Sequence, residues 1–248
     1  TNSLNEVDDL SGFEGASLTG NSIDNTLDAS AFTLGSVSLY GMDRNDNLIG
    51  GSQDDFLYGG SGNDTLNGGP SGYDTIFQSG TNIDLDTDAN GDGTMVTGGT
   101  ETDTLISIEA ANLSGLDNHT NILDASGFSG DAVLQGGSAT SMFSSIGNTL
   151  LGGSGSDQIF GGDATSLGSS VNNVLSGGAG SDALEGGNAE GSGSSVNNSL
   201  NGGSGEDLLN GGDASGLGSS VDNEIYGGDD NDELNGGNSS GTGSTAIN

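Results

Sequence analysis

A glycine-pair register that returns every 25 residues through the C-terminal half constrains this chain more than any other feature. Gly136-Gly137, Gly161-Gly162, Gly186-Gly187, Gly211-Gly212 and Gly236-Gly237 keep that spacing without a slip. A second series, Gly152-Gly153, Gly177-Gly178, Gly202-Gly203 and Gly227-Gly228, lies between them at an offset of sixteen. Each pair of the second series opens a nonapeptide: GGSGSDQIF, GGAGSDALE, GGSGEDLLN and GGDDNDELN. A fixed internal period of this length means stacked units that bury together what none buries alone. It also sets one aspartate at the same point of every unit: Asp157, Asp182, Asp207 and Asp232.

Such a stack must contend with its own charge. The chain carries 36 acidic residues against a single arginine, Arg44, for a formal charge of −35. That surplus opposes any compact state unless cations neutralise it. It excludes nucleic acid as a partner, because phosphate binding draws on lysine and arginine. It excludes an anionic membrane surface for the same reason. No apolar run approaches the ~20 residues of a membrane-spanning helix, so no membrane insertion is expected. Thr1 opens no basic, apolar leader, and the sequence is expected to be a processed chain or a fragment. Fifty glycines and few aromatics would suit disorder, yet disorder has no use for Leu, Ile and Val held at a fixed phase. Without cysteine, disulfides cannot staple the fold, which leaves bound cations as the candidate staple.

Three segments are expected: 1–67, 68–135 and 136–248. The first ends in the nine-residue steps GMDRNDNLI, GGSQDDFLY and GGSGNDTLN, and GGPSGYDTIF then follows with one residue more. Their aspartates are Asp46, Asp55, Asp64 and Asp74. The middle segment loses the glycine rhythm, and Ile76-Phe77, Ile83-Asp84-Leu85, Met95-Val96 and Thr104-Leu105-Ile106 read as short strands. EGASLTG from Glu14 resembles EAANLSG from Glu109, and LDASAF from Leu27 resembles LDASGF from Leu123. Each copy is therefore expected to open a roll. The third segment alternates steps of sixteen and nine. The sixteens end like the nonapeptide, with Asn148, Asn173, Asn198 and Asn223 in the place of the aspartate, and read as nonapeptides whose turn has grown.

GGxGxDxUx has a physical reading. Its glycines allow a tight turn whose carbonyls point inward. Its last three residues form a short strand whose U side chain faces a narrow apolar core. Two steps close one flattened coil, and successive coils stack as parallel strands about 4.8 Å apart. The aspartate of one turn and the carbonyls of the next then converge on a site made of oxygen alone. Ca²⁺ takes 6–8 such ligands, whereas Mg²⁺ and Zn²⁺ suit other donor sets.

The nonapeptides from Gly59, Gly152, Gly177 and Gly202 resemble the RTX (repeats-in-toxin) family, and DTLISIEAANLSG from Asp103 is similar to the lead-in that often precedes its repeats. The resemblance implies an all-β, right-handed parallel β-roll, a β-helix-like solenoid with calcium-binding glycine-rich turns. It implies several Ca²⁺ ions, folding only when calcium arrives, and type I secretion from a bacterium to the extracellular space or cell surface. In one respect the chain departs from the family, whose ordinary roll uses nine plus nine. Here the longer steps all emerge from one edge, where Asn replaces Asp and calcium binding is open. Asp163 and Asp213, third in their steps, are candidates to restore a site there.

Asp86, Asp88, Asn90 and Asp92 have the spacing of the first half of an EF-hand loop, with Gly91 at the sharp turn. Thr97 stands where the bidentate glutamate would be, so the expectation is a lone Ca²⁺ site, with a solvated hairpin loop as the alternative. His119 is the only imidazole and no nucleophile elbow accompanies it, so no catalytic activity is expected. Phe56, Phe77, Phe143 and Phe160 are expected to cap or plug the core. The serine pairs from Ser144-Ser145 to Ser219-Ser220 are expected to hydrogen-bond where strands begin.

The expected function is that of a secreted, calcium-binding structural repeat protein in a cell-surface layer, filament or extracellular matrix. Its partners would be calcium, copies of itself or other surface proteins. A secretion and folding module of a type I secreted enzyme or toxin, and an adhesin or ice-binding segment, are the alternatives.

Overall fold

The computed structural model describes residues 14–248, so the start of the first expected segment lies outside the described residues. All regular structure among them is strand. They form two compact units, one running up to Gln78 and adding Asp86–Asn112, the other built from Ser79–Leu85 and Leu113–Asn248.

In the first unit, Ala16–Thr19, Val37–Asp43, Phe56–Ser61 and Thr75–Ser79 pair in parallel, in that order. A second parallel set joins Thr26–Asp28, Asn47–Ile49, Thr65–Asn67 and Glu101–Ile106. The register aligns Leu18, Leu39, Leu57 and Ile76 in one column and Leu27, Leu48, Leu66 and Leu105 in the other. These are the U positions of the repeats. Leu39, Leu48, Leu57, Leu66 and Ile76 are wholly buried, so two facing aliphatic columns make the core. The strands alternate inward and outward residues, which puts Phe56 and Tyr58 on the outer surface beside buried Leu57. Tyr40, Tyr58 and Phe77 stack there with ring centroids 4.5 and 4.4 Å apart. Phe56 and Phe77 therefore do not plug the core; they flank the inward Leu57 and Ile76 on their strands and face outward, whereas Phe128 and Phe32 are buried. Gly93–Thr97 runs antiparallel to Glu101–Ile106, a hairpin inserted before the last coil.

The second unit is more regular. Ser145–Leu151, Ser170–Ala179, Ser195–Ser204, Ser220–Asp229 and Thr245–Ile247 stack in parallel, each residue over the one 25 positions later. Opposite them stack Asp131–Gln135, Gln158–Phe160, Ala183–Glu185, Leu208–Asn210 and Glu233–Asn235. The core columns are Leu134, Ile159, Leu184 and Leu209 on one side and Leu123, Leu150, Leu175 and Leu200 on the other.

The residues added in each sixteen do more than lengthen a turn. Ala139, Ala164, Ala189 and Ala214 bridge in parallel from coil to coil. They pack against Ile146, Val171, Val196 and Val221 as a further buried apolar cluster. The enlarged edge thus has a small core of its own. Ser169, Ser194 and Ser219 close its turns by donating to the carbonyls of Ser166, Gly191 and Gly216 at 2.7–2.8 Å. Phe143 does not cap the core either: it lies on this edge, 74% exposed.

Coils this closely stacked leave no room for side chains at the inner turn positions. Gly203 adopts φ +119°, and a methyl group there would run into the Gly178 peptide. A left-handed backbone alone costs a non-glycine residue about 1–2 kcal/mol. Gly203→Ala is therefore expected to destabilise the protein by at least about 2 kcal/mol. At Gly147 the same methyl would meet only ordinary contacts at 3.8 Å. Gly147→Ala is expected to change stability by less than about 0.5 kcal/mol, and thermal melts of the two variants check the contrast.

Candidate metal centre

The repeat aspartates form columns, and the two oxygens of each carboxylate have different tasks. In the second unit Oδ1 of Asp157 accepts from the Ala132 amide at 2.7 Å. Oδ1 of Asp182 accepts from Asp157 N at 2.8 Å, Asp207 from Asp182 N at 2.8 Å, and Asp232 from Asp207 N at 3.1 Å. The first unit has two such columns. In one, Asp55 and Asp74 cap the amides of Val37 and Asp55 at 2.7 and 2.8 Å. In the other, Asp46 and Asp64 cap those of Asn25 and Asp46 at 2.6 and 2.8 Å. One oxygen of each aspartate therefore ties its coil to the one before.

The second oxygen turns into the glycine turn. Oδ2 of Asp46, Asp64, Asp182 and Asp207 is buried without a hydrogen-bond partner. In Asp157 it accepts from Gly153 N at 2.8 Å, and in Asp55 from Gly51 N at 2.5 Å. A methyl group on Gly152 would collide with Asp157 Oδ2 and with the Gly177 carbonyl of the next coil. The same pairing of a carboxylate oxygen and a following carbonyl surrounds Gly41, Gly50, Gly68, Gly177 and Gly202. Each turn thus encloses a small space lined by oxygen, which the bare glycine keeps open.

Burial sets the electrostatics. Desolvation raises the pKa of Asp64 and Asp182 to about 6 and that of Asp74 to about 7, partly offset by the amides that donate to them and reinforced by neighbouring carboxylates. Asp46, Asp55, Asp157 and Asp207 are raised for the same first reason. Buried acceptors without donors are costly unless a charge partner satisfies them. The chain has one Lys or Arg for 36 acids, so that partner comes from solution. A hard cation that accepts carboxylates and carbonyls together is Ca²⁺. Among the described residues no three His, Cys, Asp or Glu side chains converge, and the donors of each turn are instead a carboxylate and main-chain oxygens.

Two further carboxylates belong to these columns. Asp103 Oδ1 accepts from Asp64 N at 2.8 Å, and Glu109 Oε2 accepts from Asp74 N at 2.9 Å. Burial raises Asp103 to about 7. Gly98-Gly99, five residues ahead of Asp103, and Leu105 behind it carry the nonapeptide spacing and were the available signal. Those glycines fold as a hairpin tip, at φ +62° and +71°, so Asp103 keeps the register without the glycine turn. Glu109 has no spacing signal.

The structure gathers neither of the other two sets into a centre. In the 86–92 loop, Asp88 Oδ1 accepts from Asn90 N at 2.7 Å and Asp92 N at 3.3 Å, while Asp92 Oδ1 accepts from Ser107 N at 2.9 Å. The carboxylates brace a turn, and Asp86, Asp88 and Asp92 form no three-carboxylate group. Asp163 and Asp213 accept from the amides of Asn188 and Asn238 at 2.6 and 2.7 Å, in a ladder on the flank of the enlarged edge.

Comparison with known families agrees with this geometry. The RTX calcium-binding nonapeptide repeat matches residues 40–76, 145–165, 167–189, 192–215 and 217–242, over half of the chain. The chain belongs to the RTX calcium-binding repeat family. Comparison with curated proteins gives no match. As an RTX protein it is an all-β, parallel β-solenoid with calcium-binding repeats.

The raised pKa values carry a pH dependence. A carboxyl whose folded pKa stands above its unfolded value of 3.8 holds its proton more tightly when folded. The stability it contributes is complete below that unfolded value and is lost as pH rises through the folded values near 6 for Asp182 and 7 for Asp74. In metal-depleted buffer the strand signal in circular dichroism is therefore expected to grow as pH falls from 7.5 toward 4. A signal that instead shrinks over that range contradicts the assignment.

Proposed function

We propose that this RTX chain is a secreted, non-catalytic structural protein of the bacterial cell surface or extracellular matrix, whose folding is coupled to the binding of several calcium ions. The orphaned Oδ2 atoms of Asp46, Asp64, Asp182 and Asp207 carry this reading. They are buried acceptors with nothing in the chain to satisfy them.

The ligands would be the column aspartates Asp46, Asp55, Asp64, Asp74, Asp157, Asp182, Asp207 and Asp232, with the carbonyls of Gly59, Gly68, Ser107, Gly177, Gly202 and Gly227. Bound calcium supplies the positive charge that a column of ionised carboxylates needs in order to be buried. The residues do the rest. Each Oδ1 holds the amide of the preceding coil, the glycines keep the turn open, and the Leu/Ile columns exclude water behind it. Where calcium is scarce, the unneutralised chain repels itself and stays extended, which suits export. Where calcium is plentiful, binding to the native turns and not to the coil becomes folding free energy. A structural role is supported by repeats matched in both units and by an enlarged edge that carries a core of its own.

Calcium titration of the full chain, followed by circular dichroism, tests the coupling. Strand signal is expected to appear as calcium passes through about 10⁻⁴–10⁻³ M, the range of extracellular sites. Asp182→Asn is expected to move the midpoint to higher calcium. Strand signal that stays unchanged in excess chelator would overturn the reading.

A further inference from the structure

The second unit has two unlike turn edges, and they solve the same problem by different chemistry. On the enlarged edge Asn121, Asn148, Asn173, Asn198, Asn223 and Asn248 form a continuous column. Each Nδ2 donates to Oδ1 of the next asparagine, at 2.9, 2.9, 2.9, 2.8 and 3.0 Å along the column. The other Nδ2 hydrogen reaches a glycine carbonyl of the same turn, Gly162 for Asn173 and Gly187 for Asn198, both at 3.0 Å. The free lone pair of Oδ1 takes the amide of the same glycine, at 3.1 Å for Gly162 and 3.0 Å for Gly187. An amide has two donors and about two acceptor sites, and each interior rung uses them all.

The spaces beside the first glycine of each turn have opposite polarity. Beside Gly152 and Gly177 the nearest atoms are a carboxylate oxygen and a carbonyl oxygen. Beside Gly161 they are Asn173 Nδ2 and the amide nitrogen of Gly187, and beside Gly136 they are Asn148 Cγ, Asn148 Nδ2 and Gly162 N. The enlarged turn points donors where the short turn points acceptors. A cation placed there would meet N–H groups, and no buried side-chain acceptor there is left unpaired: the orphaned side-chain oxygens of this unit, Asp182 Oδ2 and Asp207 Oδ2, both belong to the other edge. Asp163 and Asp213 do not alter this, since each already accepts from an amide of the neighbouring coil.

We propose that the asparagine column takes the place of the metal on the enlarged edge, so that the second unit binds calcium along its aspartate edge alone. This rests on the calcium reading of the aspartate columns. The amide supplies in one neutral group what a carboxylate and a cation supply together, and Asn against Asp at this position decides which edge is metal-dependent.

Calcium bound per full-length chain, counted by equilibrium dialysis at saturating CaCl₂, tests this together with melting temperature. Asp182→Asn is expected to bind fewer ions than the wild type. Asn198→Ala is expected to bind the wild-type number while melting roughly 3–10 °C lower, for the loss of a buried hydrogen-bonded rung. If Asn198→Ala fails to fold, Asn248→Ala at the exposed last rung is expected to keep the wild-type count. A count that falls in an asparagine variant as it does in Asp182→Asn overturns the proposal while leaving the calcium reading intact. A wild-type chain that binds no calcium overturns that reading, and the proposal with it.

Discussion

Everything in this structure depends on the way each column aspartate divides its carboxylate. Oδ1 is committed to the backbone of the preceding coil, as in the 2.8 Å bond from Asp157 N to Asp182. Oδ2 is thereby aimed into the turn, where it is buried whether or not anything answers it. The geometry that stacks the coils therefore creates the unsatisfied acceptors that call for a metal. Stacking and ion binding are one constraint, because a coil cannot be added without adding a buried negative charge. An apolar core of single Leu or Ile side chains per strand is too thin to bear that cost alone.

The same economy explains why the two edges of the second unit differ. A nine-residue step has room for a turn and a three-residue strand and little else, so its turn is closed by a carboxylate whose second oxygen is left for a cation. A sixteen-residue step brings the Ala139–Ala214 column against Ile146–Val221 and buries apolar surface of its own. With that contribution in place, a neutral amide ladder suffices to close the turn. Larger steps and asparagine come together for a physical reason.

The parts of this arrangement that follow from strict spacing were legible in the sequence. The U positions became the core columns, and the aspartates at fixed phase, from Asp46 to Asp232, fell into stacks. What escaped depended on contacts that spacing does not encode. Asp103 resumes a column only because a hairpin excises Gly93–Thr97 from the coil path. Glu109 joins a column by reach alone. The aromatic residues Phe56 and Phe143 were misjudged because hydrophobicity suggested the interior, while at their positions the strand and the enlarged turn face outward. The apolar layer of the enlarged edge was hidden because its alanines sit within runs that read as polar loop. In the Asp86–Asp92 loop, the spacing of a calcium ligand set and that of a self-bracing turn are the same, and the structure shows the bracing bonds, from Asn90 N to Asp88 and from Ser107 N to Asp92.

The unbroken register of the second unit has a mechanical consequence. Every residue of Ser170–Ala179 except Gly177 pairs with one 25 positions further on, so coils touch only their neighbours and their backbone bonds lie along the axis of stacking. Tension applied along that axis loads one coil boundary at a time instead of shearing many at once. Each coil that lets go pays out roughly 80–90 Å of chain at about 3.3–3.6 Å per residue. A stack built this way is a reel of measured lengths, each released by the parting of one coil boundary.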